Sequence, residues 1–346
     1  MRIRRPQLNT LLLCVLLPAL LLSEMGFLAY VVLATYLLAR VRFKALAILA
    51  LAGVASWAAT SWSPVFDDLS WQMKANAFNA TYAYFLLLLS RYISFNFRLA
   101  PSLFADCGIL LLLTTGIVLG FAGVIPPAVL QLGSFSTVMY FTVGNTPARR
   151  ILAASSLLFA GARSVAAGLV VGLMFSWSRR VTLIVAVLAL LTALILLALP
   201  SSVVEFEGYL AELQRQGVLL KGRVSYWLVL ASGDRSLLGN GAGWSIYTIE
   251  YVYGYFQLPH NEYLRVYGDY GAIGLALLLT SLFWNVYRGG APQFFATLIL
   301  AFFMLTGNPL SFPTVIVSYL FARNAILDGQ PTPPTPRRPA SRGVPT

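Results

Sequence analysis

Residues 181–199 read VTLIVAVLALLTALILLAL, with Arg179 and Arg180 before them and Pro200 after. The run holds no charge, no proline and no glycine. A helix crosses the ~30 Å hydrocarbon core with about 20 such residues, because every backbone polar group is then satisfied within the helix. This run alone points to a membrane-spanning helix.

Working outward, further apolar runs occupy 8–23, 25–39, 45–60, 76–95, 103–122, 128–144, 150–162, 163–178, 268–287, 292–306 and 310–326. The composition agrees. Of 346 residues 58% are hydrophobic and 10% charged, where soluble domains carry about 25% charged residues. A water-soluble globular protein is excluded. The expected fold is all-α: a polytopic integral membrane protein of about 12 transmembrane helices, several of them read from runs shorter than the usual ~20 residues. Its divisions are residues 1–199 (spans one to nine), 200–267 (a long outer loop), 268–328 (spans ten to twelve) and 329–346 (a disordered tail rich in Pro, Thr and Arg).

The net charge of +12 comes from 24 Lys and Arg against 12 Asp and Glu. With an inside amino terminus, one side collects Arg2, Arg4, Arg5, Arg40, Arg42, Lys44, Arg91, Arg98, Arg149, Arg150, Arg179, Arg180, Arg288, Arg323, Arg337, Arg338 and Arg342. Merging 8–39 or 150–178 into single spans would throw Arg40, Arg42 and Lys44, or Arg179 and Arg180, to the other side, against the positive-inside rule. The surplus therefore records topology and gives no reason to expect nucleic acid. Both termini are expected in the cytoplasm. The amino terminus resembles a secretory signal, but Ser23-Glu24 is a poor cleavage site and a second apolar run follows at once. Cys14 and Cys107 lie far apart in apolar runs, which offers neither a disulfide framework nor metal-ligand spacing.

Two outer loops are long. The first, 61–75, holds Trp62, Asp67, Asp68 and Trp71. The second, 200–267, carries an amphipathic pattern at Val203, Phe206, Leu210 and Leu213. A second helix is expected to start near Arg223, with Tyr226, Trp227 and Leu230, and to end before Gly233-Asp234. Gly239-Asn-Gly241-Ala-Gly243 follows. No strand–turn–helix unit surrounds it, so it reads as a tight turn that needs positive φ rather than a nucleotide site. Tyr247, Tyr251, Tyr253, Tyr255, Tyr263, Tyr267 and Tyr270 come next. They are either interfacial anchors or a stacking platform for sugar rings. Pro259-His260-Asn261 is expected to open a helix running into the tenth span, and Gly268, Gly271 and Gly274 form a stripe where another helix packs closely.

His260 is the sole histidine of the chain and a candidate general base. Arg163, Arg223 and Arg265 are outer-side cations that could meet a phosphate through guanidinium forks; snorkelling at a hairpin tip is the other reading of Arg163. Because ATP is absent outside a cytoplasmic membrane, group transfer there needs a pre-activated donor, and lipid-linked diphosphates are of that kind.

These residues resemble the bacterial O-antigen ligases and related polysaccharide polymerases. That family has a histidine-asparagine pair in a late outer loop, then nine residues and Gly-x-x-Gly, as in His260-Asn261 and Gly271-Ala-Ile-Gly274. An arginine with a tryptophan four residues on and a glycine-rich turn match Arg223, Trp227 and Gly239–Gly243. A Ser-Arg-small element resembles Ala162-Arg163-Ser164. The resemblance covers residues 163–277.

It implies a glycosyltransferase of the bacterial inner membrane, working on its periplasmic face without a cofactor or metal. The glycan moves, with inversion, from an undecaprenyl-diphosphate donor to a glycan or lipid A-core acceptor. Arg163 and Arg223 would bind the diphosphate, and His260 would activate or position the acceptor. Arg265, Asn261, Trp227, Tyr263 and Tyr267 are the remaining substrate-binding candidates. Two other classes stay open: a transporter or flippase for lipid-linked sugars, and a membrane glycosyltransferase that uses Asp67 or Asp68 as its base.

Overall fold

The computed structural model describes residues 43–93, 97–99, 118, 122, 223–232, 237–288, 291–311 and 313–327. The expected spans before residue 43, those between 103 and 199 apart from Val118 and Ala122, the amphipathic pattern at 203–213, Arg163 and the tail lie outside these residues.

The described chain is helical. In order it runs α1 (Phe43–Ser61), α2 (Trp71–Leu89), a 3-10 turn (Ser90–Tyr92), β1 (Phe97–Leu99), α3 (Arg223–Ser232), α4 (Trp244–Tyr253), α5 (Glu262–Arg288), α6 (Ala291–Thr306), a second 3-10 turn (Pro309–Ser311), α7 (Pro313–Asn324) and β2 (Ala325–Leu327). Three-residue β1 and β2 form one parallel pair, Phe97 opposite Ala325 and Leu99 opposite Leu327. This small ladder is an addition to the all-α expectation.

Apolar runs expected at 45–60, 76–95, 268–287, 292–306 and 310–326 correspond to α1, α2, α5, α6 and α7. Among the described residues one segment, Glu262–Tyr287, is long and apolar enough to cross a membrane, while Leu46–Ser61 and Gln293–Leu305 are apolar but shorter. The start of α2 has a local cause. Ser70 stands at the N-cap, its hydroxyl accepting from Met73 N at 3.4 Å, which satisfies one of the orphan donors of the first turn.

α1 lies along α2 through small side chains. Ala52, Ser56 and Thr60 are buried, and the two hydroxyls donate back to Ala52 O at 2.5 Å and Ser56 O at 2.7 Å. Hydroxyls so satisfied within their own helix permit close approach without an orphaned group. The opposite face of α1 exposes Leu51, Val54 and Trp57. On α5, Ile273, Leu277, Phe283 and Trp284 are similarly exposed. Contiguous outward apolar faces of this kind are disfavoured in water.

α2 and α5 pack side by side, and α6 and α7 complete the group. The group has two polar ends. At one, Arg323 of α7 donates to Asn285 Oδ1 of α5 at 3.2 Å and to the carbonyl oxygens of Ser90 and Ile93, where α2 stops. A guanidinium is well suited to those terminal carbonyls. At the other end lie residues 62–70, the turn 237–243, His260 and the 307–311 segment.

Candidate functional site

The His260 turn is built by capping. Asn261 is the N-cap of α5: its Oδ1 accepts from Tyr263 N and Leu264 N, both at 3.1 Å, and Arg265 N donates to its carbonyl at 3.1 Å. The helix therefore begins at Glu262, not at Pro259 as expected from the preference of proline for the first turn. An asparagine at the cap outranks that preference, since its side chain satisfies two free N–H groups. Asn261, expected to touch substrate, has its side-chain oxygen committed to the helix. His260, thrown out of the helix, takes φ 56, a left-handed conformation uncommon for a residue with Cβ.

What holds it there is Asn308. Asn308 is buried in the short segment joining α6 to the second 3-10 turn. Its Oδ1 accepts the His260 backbone N–H at 2.7 Å, and its Nδ2 lies 2.9 Å from His260 Nδ1. On the other side of the ring, the Gln257 amide nitrogen lies 3.0 Å from Nε2. Neither amide was singled out from the sequence. Gly307-Asn308-Pro309 carries an ordinary turn signature, and nothing local announces a partner 48 residues away.

Trp227 fixes the same turn from α3. Its Nε1–H donates to Pro259 O at 3.0 Å, while its ring packs with Tyr226, Trp244 and Tyr253 around buried Leu230, Ile249 and Leu264. Trp227, expected at the substrate, thus touches the residue before the histidine. Arg223 is the first residue of α3, one turn before Trp227, and positions four apart share a helix face. Its side chain is not among those described.

The glycine-rich turn and the Gly-x-x-Gly element form one unit. Gly239, Gly241 and Gly243 have φ of 81, 100 and 89, as the sequence demanded. α5 breaks at Gly271, whose φ is 69 and ψ −169, and the turn docks on that break. Asn240 N donates to Gly268 O at 3.0 Å, Gly241 N to Asp269 O at 3.0 Å, and Ile273 N to Leu237 O at 3.2 Å. A Cβ at Gly239 would lie 2.4 Å from Gly271 N, and one at Gly271 would lie 2.4 Å from Gly239 N. The expected partner of the stripe was another helix. At Gly271 the neighbour is instead backbone, and at Gly268 it is the Trp244 ring and the Ser245 hydroxyl of α4.

Asp269 completes the unit by capping α4. Its carboxylate accepts from Gly243 N at 3.3 Å, Ser245 N at 2.8 Å and Ser245 Oγ at 2.7 Å. A carboxylate at a helix amino terminus satisfies free N–H groups and complements the dipole.

Arg265, expected at a phosphate, is 1% exposed. It donates to Ser311 Oγ at 2.7 Å and Asn76 Oδ1 at 2.8 Å. Glu262 and Asp269 each pair with it at 3.8 Å, and Glu262 Oε1 also accepts Leu310 N at 3.1 Å. The guanidinium thus ties α5 to α2 and to the second 3-10 turn, with intramolecular partners where a diphosphate was expected.

The tyrosines divide at His260. Tyr251 and Tyr255 are exposed; Tyr226 and Tyr253 meet edge to face at 5.0 Å, and the Tyr226 and Tyr255 hydroxyls are 2.8 Å apart. Burial first, then Tyr255 and Tyr253, push the Tyr226 phenol up to about 12, so it stays neutral at ordinary pH. Beyond His260 the rings pack inward. Tyr263 donates to Ala301 O at 2.9 Å. Tyr270 stacks on Tyr84 at 4.7 Å, its hydroxyl 2.5 Å from Thr81 Oγ1. Tyr267 is half-buried. Asp67 and Asp68 are exposed in the turn between α1 and α2, and neighbouring Ser63 and Pro64 abut Gly241.

The structure therefore gathers His260, Asn261, Trp227 and the glycine-rich turn. It engages Arg265 and Tyr263 within the fold, and leaves Arg163 outside the described residues. No protein-family model matches the chain, and no curated protein matches it.

Proposed function

We propose that the protein is a multi-pass inner-membrane glycosyltransferase of about 12 spans, with both termini cytoplasmic. It transfers a glycan from undecaprenyl diphosphate to an acceptor hydroxyl at the periplasmic surface, as a ligase or polymerase. The acceptor oxygen attacks the anomeric carbon from the face opposite the diphosphate. The bond from that carbon to the diphosphate breaks, undecaprenyl diphosphate leaves with the electron pair, the acceptor hydroxyl gives its proton to water at the periplasmic surface, and the anomeric configuration inverts. Arg163 and Arg223 hold the leaving diphosphate, and His260 contacts an oxygen at the reacting centre.

The observation that supports this most is the company of His260. Three of the motifs behind the family resemblance, the Trp227 helix, the glycine-rich turn and the helix that follows His260, are joined by hydrogen bonds. Trp227 bonds to the residue before His260, and the glycine-rich turn docks on the α5 break behind it. Exposed Tyr251 and Tyr255 precede it in the chain, and the apolar outward faces of α1 and α5 suit acyl chains.

Asp67 and Asp68, exposed near the same glycine-rich turn, favour the reading in which a carboxylate is the base. Purified variants separate the two readings in a transfer assay with chelator present. Arg163→Ala and Arg223→Ala should lose most activity, whereas Asp67→Ala/Asp68→Ala should retain it. The reverse pattern assigns the chemistry to the aspartates.

A further inference from the structure

The Asn308 contact sets the arrangement of the His260 ring protons. The His260 backbone N–H lies 2.7 Å from one limb of the Asn308 amide, and an N–H is satisfied only by an acceptor, so that limb is the oxygen. The other limb, 2.9 Å from Nδ1, is then the amide nitrogen, which has only hydrogens to offer. Nδ1 meets it with its lone pair. Exchanging oxygen and nitrogen would set donor against donor at the backbone contact, so the usual ambiguity of an amide does not arise here. A neutral imidazole whose Nδ1 is an acceptor carries its proton on Nε2. The atom 3.0 Å from Nε2 is the Gln257 amide nitrogen; nothing in this contact fixes that amide's orientation, and a half-turn about its last bond sets its oxygen against Nε2–H.

We infer that Asn308 is a positioning residue that locks the sole histidine in the Nε2–H tautomer, so that His260 presents a hydrogen-bond donor and not a general base. With Nδ1 occupied by Asn308 and Nε2 already protonated, neither nitrogen accepts a proton from a hydroxyl unless the Asn308 contact breaks. The ligand that suits Nε2–H is an oxygen acceptor: a diphosphate oxygen or the oxygen of a sugar hydroxyl, taking the place of the Gln257 amide. The tautomer stands on the geometry alone; its use on a substrate oxygen rests on the transferase reading.

A chain with one histidine makes the test direct. Full-length protein labelled with ring-15N histidine, free of any histidine tag, gives one pair of ring nitrogen resonances. Long-range proton–nitrogen correlation at neutral pH should show Nε2 protonated and Nδ1 unprotonated. Asn308→Asp offers Nδ1 a carboxylate, and its spectrum should show Nδ1 protonated. Gln257→Leu should keep the wild-type pattern. A protonated Nδ1 or averaged, equivalent nitrogens in the wild type overturns the proposal, even if Asn308→Asp fails to fold. An Asn308→Asp spectrum identical to wild type also overturns it. No substrate is present, so a protein that transfers no glycan still reports its tautomer. Titration of the labelled wild type with undecaprenyl diphosphate, or separately with acceptor glycan, identifies the oxygen: the true ligand shifts Nε2 and its proton. No shift with either removes the substrate contact and leaves the tautomer standing.

Discussion

His260 occupies a left-handed backbone position that costs on the order of 1–3 kcal/mol for a residue with a side chain. The conformation persists because three neighbours over-determine it: Asn308 on the backbone N–H and Nδ1, Asn261 capping the helix behind it, and Trp227 on the preceding carbonyl. Trp227→Phe keeps an aromatic ring but removes the Nε1–H bond and part of the indole's packing area, so stability should fall by only ~1–2 kcal/mol. Transfer should fall further, on the order of 10- to 100-fold, because a loosened turn misplaces the reacting groups. Unchanged transfer with the expected small loss of stability would deny Trp227 a positioning role. Arg265 behaves differently. Arg265→Met leaves Glu262 and Asp269 buried without their cation, which should cost ~3–5 kcal/mol in denaturant unfolding in detergent. Normal stability with weakened binding of undecaprenyl diphosphate would return Arg265 to the substrate. The sequence marked Arg265 as a phosphate candidate; Glu262 and Asp269 stand at helical spacing from it, but its hydrogen-bond partners Asn76 and Ser311 lie 189 and 46 residues away.

At the scale of elements, the central unit is the glycine-rich turn seated on the broken α5. Breaking a helix frees carbonyls that need donors. Those of Gly268 and Asp269 receive the turn's N–H groups, and the turn's Leu237 O receives Ile273 N in return. Gly239→Ala or Gly271→Ala forces a methyl against backbone and should lower stability by ~1–3 kcal/mol or more, with loss of the docked turn. Gly254→Ala is the control: its φ is 75 but a Cβ there meets nothing within 4 Å, so only the left-handed strain of ~1–2 kcal/mol applies. Equal effects on the melting temperature at Gly239 and Gly254 would show that backbone approach is not what Gly239 serves. The need for positive φ was legible in the spacing of Gly239, Gly241 and Gly243. Their docking partner was not, because an unbroken apolar period hides the kink at Gly271.

For the whole molecule, apolar runs and arginine placement predict where helices occur, and α1, α2, α5, α6 and α7 fall within a few residues of those runs. The arginine pattern carries more than sidedness, since Arg323, expected simply to face the cytoplasm, is buried against the end of α2. How helices pair is not written in a hydrophobic period, which says that a face is apolar and not what covers it. Sidedness is open to test with single cysteines in a background lacking Cys14 and Cys107. Tyr251→Cys, at an exposed site, should react with a membrane-impermeant maleimide added outside, and Gly289→Cys only after permeabilisation. The opposite pattern would put the His260 turn in the cytoplasm. The most direct test of the central claim is the product formed by purified protein from a labelled undecaprenyl-diphosphate oligosaccharide and an acceptor. The account predicts a new, inverted glycosidic bond and one undecaprenyl diphosphate released per transfer. Lipid moving across the bilayer of reconstituted vesicles with no glycosidic bond formed would contradict it.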